Sequence, residues 1–143
     1  MTIARFPFLP SSLLDHFWDN DLMDRASSNY SSTNTSLPAI NIKENDDEFG
    51  IEVAAPGMKK EDFSINYDNG RLTVSSEKKN EKVDEKYNRR EFSYQSFCRS
   101  FKVADNVIDN QKIKAKYEDG ILYITLPKRE EIKPKPAKEI EIR

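Results

Sequence analysis

Apolar and polar residues alternate from Leu37 onward with a period of two, which is the pattern of β-strands that bury one face. The alternation predicts seven short strands, around 40–42, 49–53, 63–67, 72–74, 97–103, 113–117 and 122–126. The dipeptides Asn69-Gly70 and Asp119-Gly120 predict two-residue hairpins, because the type I′ turn needs positive φ at both positions. Since no helical segment separates the strands, the pattern predicts an all-β fold, an antiparallel immunoglobulin-like β-sandwich.

The first 36 residues have a different pattern, with large apolar side chains concentrated between Phe6 and Met23. Ser12 and Asp15 form a capping-box pattern, and helical spacing on one face is shown by Leu13, Leu14, Phe17, Trp18 and Leu22. The following Ser, Thr and Asn residues, 26–36, predict a flexible tether. We therefore expect a short amphipathic helix on an arm outside the sandwich.

The apolar side chains of this arm either complete the core of the sandwich or form an exposed patch that contacts other proteins. The polar tether favours the patch, because a large exposed apolar surface is typical of an interaction site. The candidate residues are Phe6, Phe8, Leu9, Leu13, Leu14, Phe17, Trp18 and Leu22.

One interval between predicted strands, Glu77 to Glu91, consists mostly of charged residues and is too polar for a core. A loop of this length inside a compact β-domain is usually functional or disordered. Tyr87, Arg89 and Phe92 near its end have the composition of a strand that pairs elsewhere.

The C-terminal residues form a spacer rich in Pro, Lys and Glu that ends in Glu139-Ile140-Glu141-Ile142-Arg143. In an extended chain, Ile140 and Ile142 lie on one side and the charged residues on the other. The two isoleucines are either an accident of composition in a frayed terminus or a pair of apolar anchors. Burying an isoleucine contributes roughly 1.5–3 kcal/mol, so such a pair would bind weakly by itself.

The composition is that of one domain with solvated ends: 143 residues, 36% hydrophobic, 34% charged and a mean hydropathy of −0.81. We predict an arm and tether at 1–36, a sandwich domain at 37–128 and a C-terminal extension at 129–143. A net charge of −2 gives no field that would hold nucleic acid or an anionic membrane. No apolar run approaches the roughly 20 residues of a membrane helix. With one cysteine and no secretory leader, we expect a cytoplasmic protein without disulfides.

The sequence offers no catalytic, metal-binding or cofactor-binding constellation. Its one histidine, His16, lies in the arm, and its four glycines are too far apart for a phosphate-binding loop. Cys98 has no activating neighbour in the sequence and is interpreted as a passive thiol. We therefore expect no enzymatic activity and no cofactor.

Arg99 is the one charged residue on an otherwise apolar strand face, between Phe97 and Phe101. It marks either a register shift or edge position, or a buried guanidinium whose donors are paired. The second interpretation predicts that Arg99 holds an interface together.

Several segments resemble the small heat-shock proteins, whose central module is the alpha-crystallin domain. They are the proline-glycine turn of 55–63, the hairpin of 69–74, the A-x-x-x-n-G-v-L signature of 115–122, the arginine strand of 97–101 and the tail motif I-x-I of 140–142. The resemblance covers about Leu37 to Lys128 and the tail.

The resemblance implies an alpha-crystallin sandwich of the bacterial and plant type, in which residues 85–91 supply a strand that pairs with the sheet of a partner. It places the dimer interface at Tyr87, Arg89, Glu91, Phe92 and Arg99. It also implies that the I-x-I tail docks in a groove of a neighbouring subunit, lined by Phe63, Ile65, Tyr67, Ile113, Ala115 and Tyr117.

By this resemblance the chain is expected to be an ATP-independent holdase that forms homo-oligomers, binds unfolding client proteins and passes them to ATP-driven chaperones. One alternative is a CS-domain-like co-chaperone that binds one folded chaperone, although such a protein would lack the arm and the tail motif. A second is a β-sandwich enzyme, for which the sequence offers no catalytic group.

Overall fold

The computed structural model describes residues 30–31, 36–78 and 86–143 and contains eight strands. They are β1 (Tyr30–Ser31), β2 (Ile40–Glu44), β3 (Glu48–Ala54), β4 (Phe63–Asp68), β5 (Arg71–Glu77), β6 (Ser96–Lys102), β7 (Lys114–Glu118) and β8 (Ile121–Pro127). Three single 3-10 turns lie at Lys60–Asp62, Asn110–Lys112 and Glu130–Ile132. The predicted helix of the arm lies outside the described residues.

Two four-stranded sheets make up the fold, with strand orders β1-β6-β5-β4 and β2-β3-β8-β7. All the strand pairs are antiparallel. The predicted all-β sandwich is therefore confirmed, and β2–β8 correspond to the seven predicted strands. Both hairpin turns have the predicted geometry, with φ of 47° and 73° at Asn69 and Gly70 and 50° and 79° at Asp119 and Gly120.

Strand β1 was not predicted, since it lies in the polar stretch interpreted as a tether. Tyr30 and Ser31 pair with Cys98 and Phe97 of β6. The physical reason is that β6 would otherwise be an edge strand with free backbone groups, which any short extended segment can pair with, whatever its hydrophobicity.

The core fills the space between the two sheets with side chains from alternate strand positions. Strands β3, β5 and β8 have a strictly alternating burial pattern along most of their length. The buried apolar residues are Phe49, Ile51, Val53, Ala55, Met58, Leu72, Val74, Phe97, Phe101, Val103, Ile108, Leu122, Ile124 and Leu126. The central strands are thus fixed by burial, whereas the end strands β2 and β4 are only half covered and β7 is mostly exposed.

A buried ion pair joins the end of β2 to the residue after β8. Lys128 Nζ lies 2.6 Å from Glu44 Oε1, and the two side chains are 8% and 9% exposed. The same ammonium lies 4.8 Å from the centre of the Phe49 ring, a cation–π contact. The backbone N–H of Lys128 donates to the Asp47 carbonyl oxygen. The ion pair therefore fixes the point at which the C-terminal extension leaves the sandwich.

Lys128→Ala should lower the free energy of unfolding by about 3–5 kcal/mol, because it leaves the Glu44 carboxylate buried without its cation. The double variant Glu44→Leu with Lys128→Met should recover most of this loss, since a well-packed apolar pair avoids the desolvation of two charges. Urea unfolding followed by far-ultraviolet circular dichroism measures both.

The matched control is Lys43→Ala, which breaks the ion pair between Lys43 and Glu52 on the open face of the same sheet. Its lysine is 69% exposed, so its loss should matter much less. An equal effect of the two single alanine variants would show that burial of the Glu44–Lys128 pair is unimportant.

Candidate functional site at the open sheet edges

Strands β4 and β7, each at the end of its own sheet, come together at one side of the sandwich. The rings of Phe63 on β4 and Tyr117 on β7 lie 4.9 Å apart, tilted by 48°. Phe63 also packs 6.3 Å from the buried Phe97 ring. The two open edges therefore border one apolar strip above the core.

The six residues predicted to line a groove lie on or next to these two edges. Phe63, Ile65, Tyr67, Ile113 and Tyr117 are half-buried and pack against the core. Ala115 is exposed. Its methyl group is the smallest side chain of the strip, so it leaves a depression on the inner face of β7 between the larger side chains of Ile113 and Tyr117. The structure brings Phe63 and Tyr117 of the two edges into contact, and the role of the six residues as a groove stays a prediction.

Two tyrosine hydroxyls hold the walls of this strip in place. The Tyr117 hydroxyl donates to the Ala55 carbonyl oxygen at 2.8 Å. The Tyr67 hydroxyl lies 2.7 Å from both the Val103 carbonyl oxygen and the Asp105 carboxylate. Burial, followed by the hydrogen bond to Asp105, raises the pKa of Tyr67 above its ordinary value, so the hydroxyl stays protonated. These contacts hold both tyrosine hydroxyls in place at the two edges.

The outer face of β7 carries charges, and most of them are cationic. Lys116 Nζ lies 2.7 Å from Glu118 Oε2 and 5.3 Å from the centre of the Tyr123 ring. This hydrogen bond lowers the pKa of Glu118 and raises that of Lys116, so both stay charged near neutral pH. Lys114 is exposed and forms no ion pair with any described residue. The β7 edge is thus apolar inside and mainly cationic outside.

The tail isoleucines are among the most exposed apolar side chains in the described part of the chain. Ile140 is 81% exposed and Ile142 is 98% exposed. The extension starts at a fixed point, because Lys133 Nζ lies 2.6 Å from Glu130 Oε1 and 3.8 Å from Asp47 Oδ1 in the β2–β3 turn. The tail therefore leaves a defined corner of the sandwich without covering the strip of its own chain.

Comparison with known proteins gives a consistent result. The model of the Hsp20/alpha crystallin family matches residues 41–143. Small heat shock protein C2 of Rickettsia felis is 36% identical over 134 residues, which are 91% of this chain and 84% of that protein. The chain belongs to the Hsp20/alpha-crystallin family. This membership supports a general role as a chaperone of the small heat-shock protein type.

Two solved structures of small heat-shock proteins are similar to this fold. A small heat-shock protein from Xylella fastidiosa has a TM-score of 0.59 and 29% identity, covering 76% of this chain and 98% of that one. Heat shock protein 16.0 from Schizosaccharomyces pombe has a TM-score of 0.54 and 36% identity, covering 74% and 97%. The resemblance drawn from the sequence motifs is confirmed, and so is the alpha-crystallin sandwich.

The segment assigned to the family's swapped strand, 85–91, contains no strand among its described residues, 86–91. Tyr87 and Phe92 are 56% and 67% exposed. Arg89 and Glu91 are also exposed, with 4.0 Å between their charged atoms. Just after this segment the chain is held against the domain, where Ser93 N–H donates to Ser36 Oγ at 3.0 Å. Its outer part therefore offers aromatic surface, and pairing with a partner stays a prediction.

Arg99 lies inside the sandwich and is 8% exposed, as the interpretation of a buried guanidinium requires. Its Nη1 donates to the Pro38 carbonyl oxygen at 3.0 Å, and its guanidinium carbon lies 5.9 Å from the Phe101 ring centre. Pro38 is fully buried and comes just before β2. Arg99 on one sheet therefore positions the start of β2, the end strand of the other sheet. A register shift is excluded, because Arg99 lies opposite Val74 of β5 within an unbroken antiparallel register.

The described residues contain no group of three or more His, Cys, Asp or Glu residues that could hold a metal ion. Burial raises the pKa of the Cys98 thiol, which leaves it protonated at neutral pH and slow to react. Within the same residues, no helix is long and apolar enough to cross a membrane.

Three features of the structure were not predicted from the sequence. The tyrosine hydroxyl contacts and the Glu44–Lys128 pair depend on distant parts of the chain and leave no local signal. The outer row of charges on β7 could have been predicted from the sequence. Strand alternation that sends Ala115 and Tyr117 inward must send Lys114, Lys116 and Glu118 outward.

Arg99→Met should lower the free energy of unfolding by about 1–3 kcal/mol, because it leaves the buried Pro38 carbonyl without this donor. Urea unfolding measures the change. Lys102→Met on the exposed end of the same strand is the control, and it should have little effect. Equal stability of the two variants would contradict a structural role for the Arg99–Pro38 contact.

Proposed function

We propose that this protein is an ATP-independent holdase that binds unfolding proteins and limits their aggregation, working as a dynamic homo-oligomer without enzymatic activity or a cofactor. The observation that carries the proposal is the pairing of two incomplete surfaces in one chain. An apolar strip lies open between β4 and β7, and two tail isoleucines are almost wholly exposed. The strip lacks a segment that covers it, and the isoleucines lack a surface that buries them.

The tail of one copy docks in the β4–β7 groove of another and joins dimers into larger assemblies. Burial of two isoleucines contributes roughly 3–6 kcal/mol before ordering costs, which alone supports only weak binding. Several such contacts in one assembly bind strongly through avidity, while each can open separately. An assembly of this kind releases subunits readily, as a chaperone that must expose its binding surface needs to do.

The dimer forms by exchange of the segment that contains Tyr87, Arg89, Glu91 and Phe92. Two observations support this step. The outer side of the segment is exposed and aromatic. Strand β2 has an open edge, and Arg99 holds the chain just before it. A segment added to that edge would satisfy backbone groups that are otherwise left to water.

Clients bind to the N-terminal arm, through Phe6, Phe8, Leu9, Leu13, Leu14, Phe17, Trp18 and Leu22. These residues lie outside the described part of the chain, so this assignment rests on composition. Apolar attraction strengthens on warming from low temperature, which suits capture of proteins that unfold in heat. Clients held in this way would pass to ATP-driven chaperones in the cytoplasm.

A CS-domain-like co-chaperone remains the second candidate from the sequence. Nothing in the described structure favours it specifically, and the exposed Ile140–Ile142 pair favours the holdase. The two functions differ in their partners: a holdase suppresses aggregation of unrelated unfolding proteins without ATP, whereas a co-chaperone needs one folded chaperone. An aggregation assay with two unrelated clients and no other chaperone tests this directly.

Ile140→Ala combined with Ile142→Ala should reduce the assembly to dimers or other small species, because the tail loses most of its apolar contact area. Static light scattering or native mass spectrometry measures the particle mass. Lys135→Ala, in the same extension, is the control and should leave the mass unchanged. An unchanged particle mass in the double isoleucine variant would refute tail docking.

Deletion of residues 1–24 should abolish suppression of client aggregation while the sandwich and the dimer persist, because the predicted client contacts all lie before residue 24. Light scattering of a heat-denatured client measures the activity, and circular dichroism checks the fold. If the truncated protein protects clients as well as the full chain does, client binding belongs to the sandwich.

A further inference from the structure

The free edge of β7 presents defined backbone groups to a docking strand. Glu118 and Ile121 close the two-residue hairpin and so form a hydrogen-bonded pair. Pairs alternate along an antiparallel ladder, so Ala115 and Tyr117 occupy the sites that do not bond to β8. Their N–H and C=O groups point to the open edge. A tail strand added there would bond to these residues and to Ile113 just before them.

The inner face of β7 restricts where the tail can lie. Opposed residues on neighbouring strands share a face, so the tail isoleucines must lie opposite inward-pointing residues. The inward positions are Ile113, Ala115 and Tyr117. Two isoleucines spaced i, i+2 fill two adjacent positions of these three, and one of them is therefore always opposite Ala115. The tail can run in either direction, which leaves four possible registers.

The outer face distinguishes the four registers by charge. Glu139, Glu141 and Arg143 lie on the opposite side of the tail from the isoleucines. The outward positions on β7 are Lys114, Lys116 and Glu118, and Lys112 lies just before the strand, in the Asn110–Lys112 turn, 3.0 Å from Asp109 Oδ2. Opposite charges directly across two strands stabilise the pair, and like charges destabilise it.

Neither antiparallel register gives three opposite-charge pairs. With Ile140 opposite Ala115, the glutamates face Lys114 and Lys116, but Arg143 lies beyond the start of β7, beside Lys112, which is already paired with Asp109. With Ile142 opposite Ala115, Arg143 faces Lys114 and Glu139 faces Glu118.

Of the two parallel registers, one contains a like-charge contact and the other does not. With Ile142 opposite Ala115, Arg143 faces Lys116. With Ile140 opposite Ala115, three opposite-charge pairs form and no like-charge pair: Glu139 with Lys114, Glu141 with Lys116, and Arg143 with Glu118.

We propose that the tail of a second copy docks parallel to β7, with Ile140 beside Ala115 and Ile142 beside Tyr117. The existing pair of Lys116 and Glu118 becomes part of a row of alternating charges, joined by Glu141 and Arg143. Lys114, which has no ion pair with the described residues, gains Glu139. This inference rests on the proposed tail docking and adds its direction and register, which the apolar contacts alone leave open.

Disulfide trapping tests the register, because position 139 has a different neighbour in each of the four. In a Cys98→Ser background, a chain with Glu139→Cys is mixed with a chain that carries one cysteine at position 112, 114, 116 or 118. Mild oxidation should cross-link the Lys114→Cys chain fastest, since only neighbouring Cβ atoms reach disulfide geometry. Fastest cross-linking at 112, 116 or 118 overturns the proposal and identifies another register.

The same mixtures separate this proposal from tail docking itself. If the Ile140→Ala, Ile142→Ala variant loses its assembly but position 116 cross-links fastest, docking holds and the parallel direction is wrong. If none of the four positions cross-links while the particle mass stays that of the parent protein, the tail does not lie along β7.

Arg143→Glu gives a second test through the sign of its effect. In the proposed register the new carboxylate faces Glu118, so the concentration at which the assembly dissociates should rise by about two- to fivefold at low salt, the range of an exposed ion pair. In each of the other registers it would face a lysine, and that concentration would fall.

Two further variants make this second test specific. Lys135→Glu makes the same charge change before the docked segment and should leave the dissociation concentration unchanged. Glu118→Arg added to Arg143→Glu should restore the parent value, and the shift should shrink in high salt. Tighter assembly of Arg143→Glu, or no rescue by Glu118→Arg, overturns the proposed register.

Discussion

The alternation of side chains along paired strands is the constraint on which this structure depends. It sends Phe49, Ile51 and Val53 of β3 into the space between the sheets, against Leu122, Ile124 and Leu126 of β8. A slip of one residue would turn every one of these side chains to water. The core therefore fixes the register of the central strands, and through them the position of everything at the sheet edges.

The same constraint explains why most of the fold could be predicted from the sequence. Each of β2–β8 has its own run of alternating residues, and both hairpins carry the residues that positive φ requires. Strand β1 escaped prediction because Tyr30 and Ser31 pair through their backbone, which leaves no pattern in the side chains. The Glu44–Lys128 pair escaped it because its members lie 84 residues apart and look like ordinary surface charges in the sequence.

The candidate surfaces could be predicted less completely than the fold, because the sequence marks residues but not their contact partners. Arg99 stood out because a charge on an apolar face must have partners, but only the structure identifies the Pro38 carbonyl as one of them. The groove residues came from family resemblance, since alternation on one strand says nothing about which two edges meet. The contact between Phe63 and Tyr117 supplies that information.

In the proposed assembly, the edges of the sandwich also set the balance between tail binding and release. A fully covered edge would leave nothing for a tail to bind, and a long, flat apolar edge would favour indiscriminate pairing with other strands. Here the inner face of β7 offers a short apolar strip, and its outer face carries lysines and one glutamate. The apolar contacts alone would accept the symmetric I-x-I pair in either direction. The charges on the outer face are not symmetric, so they can select one direction at little cost, because they stay in water where ion pairs are weak and reversible.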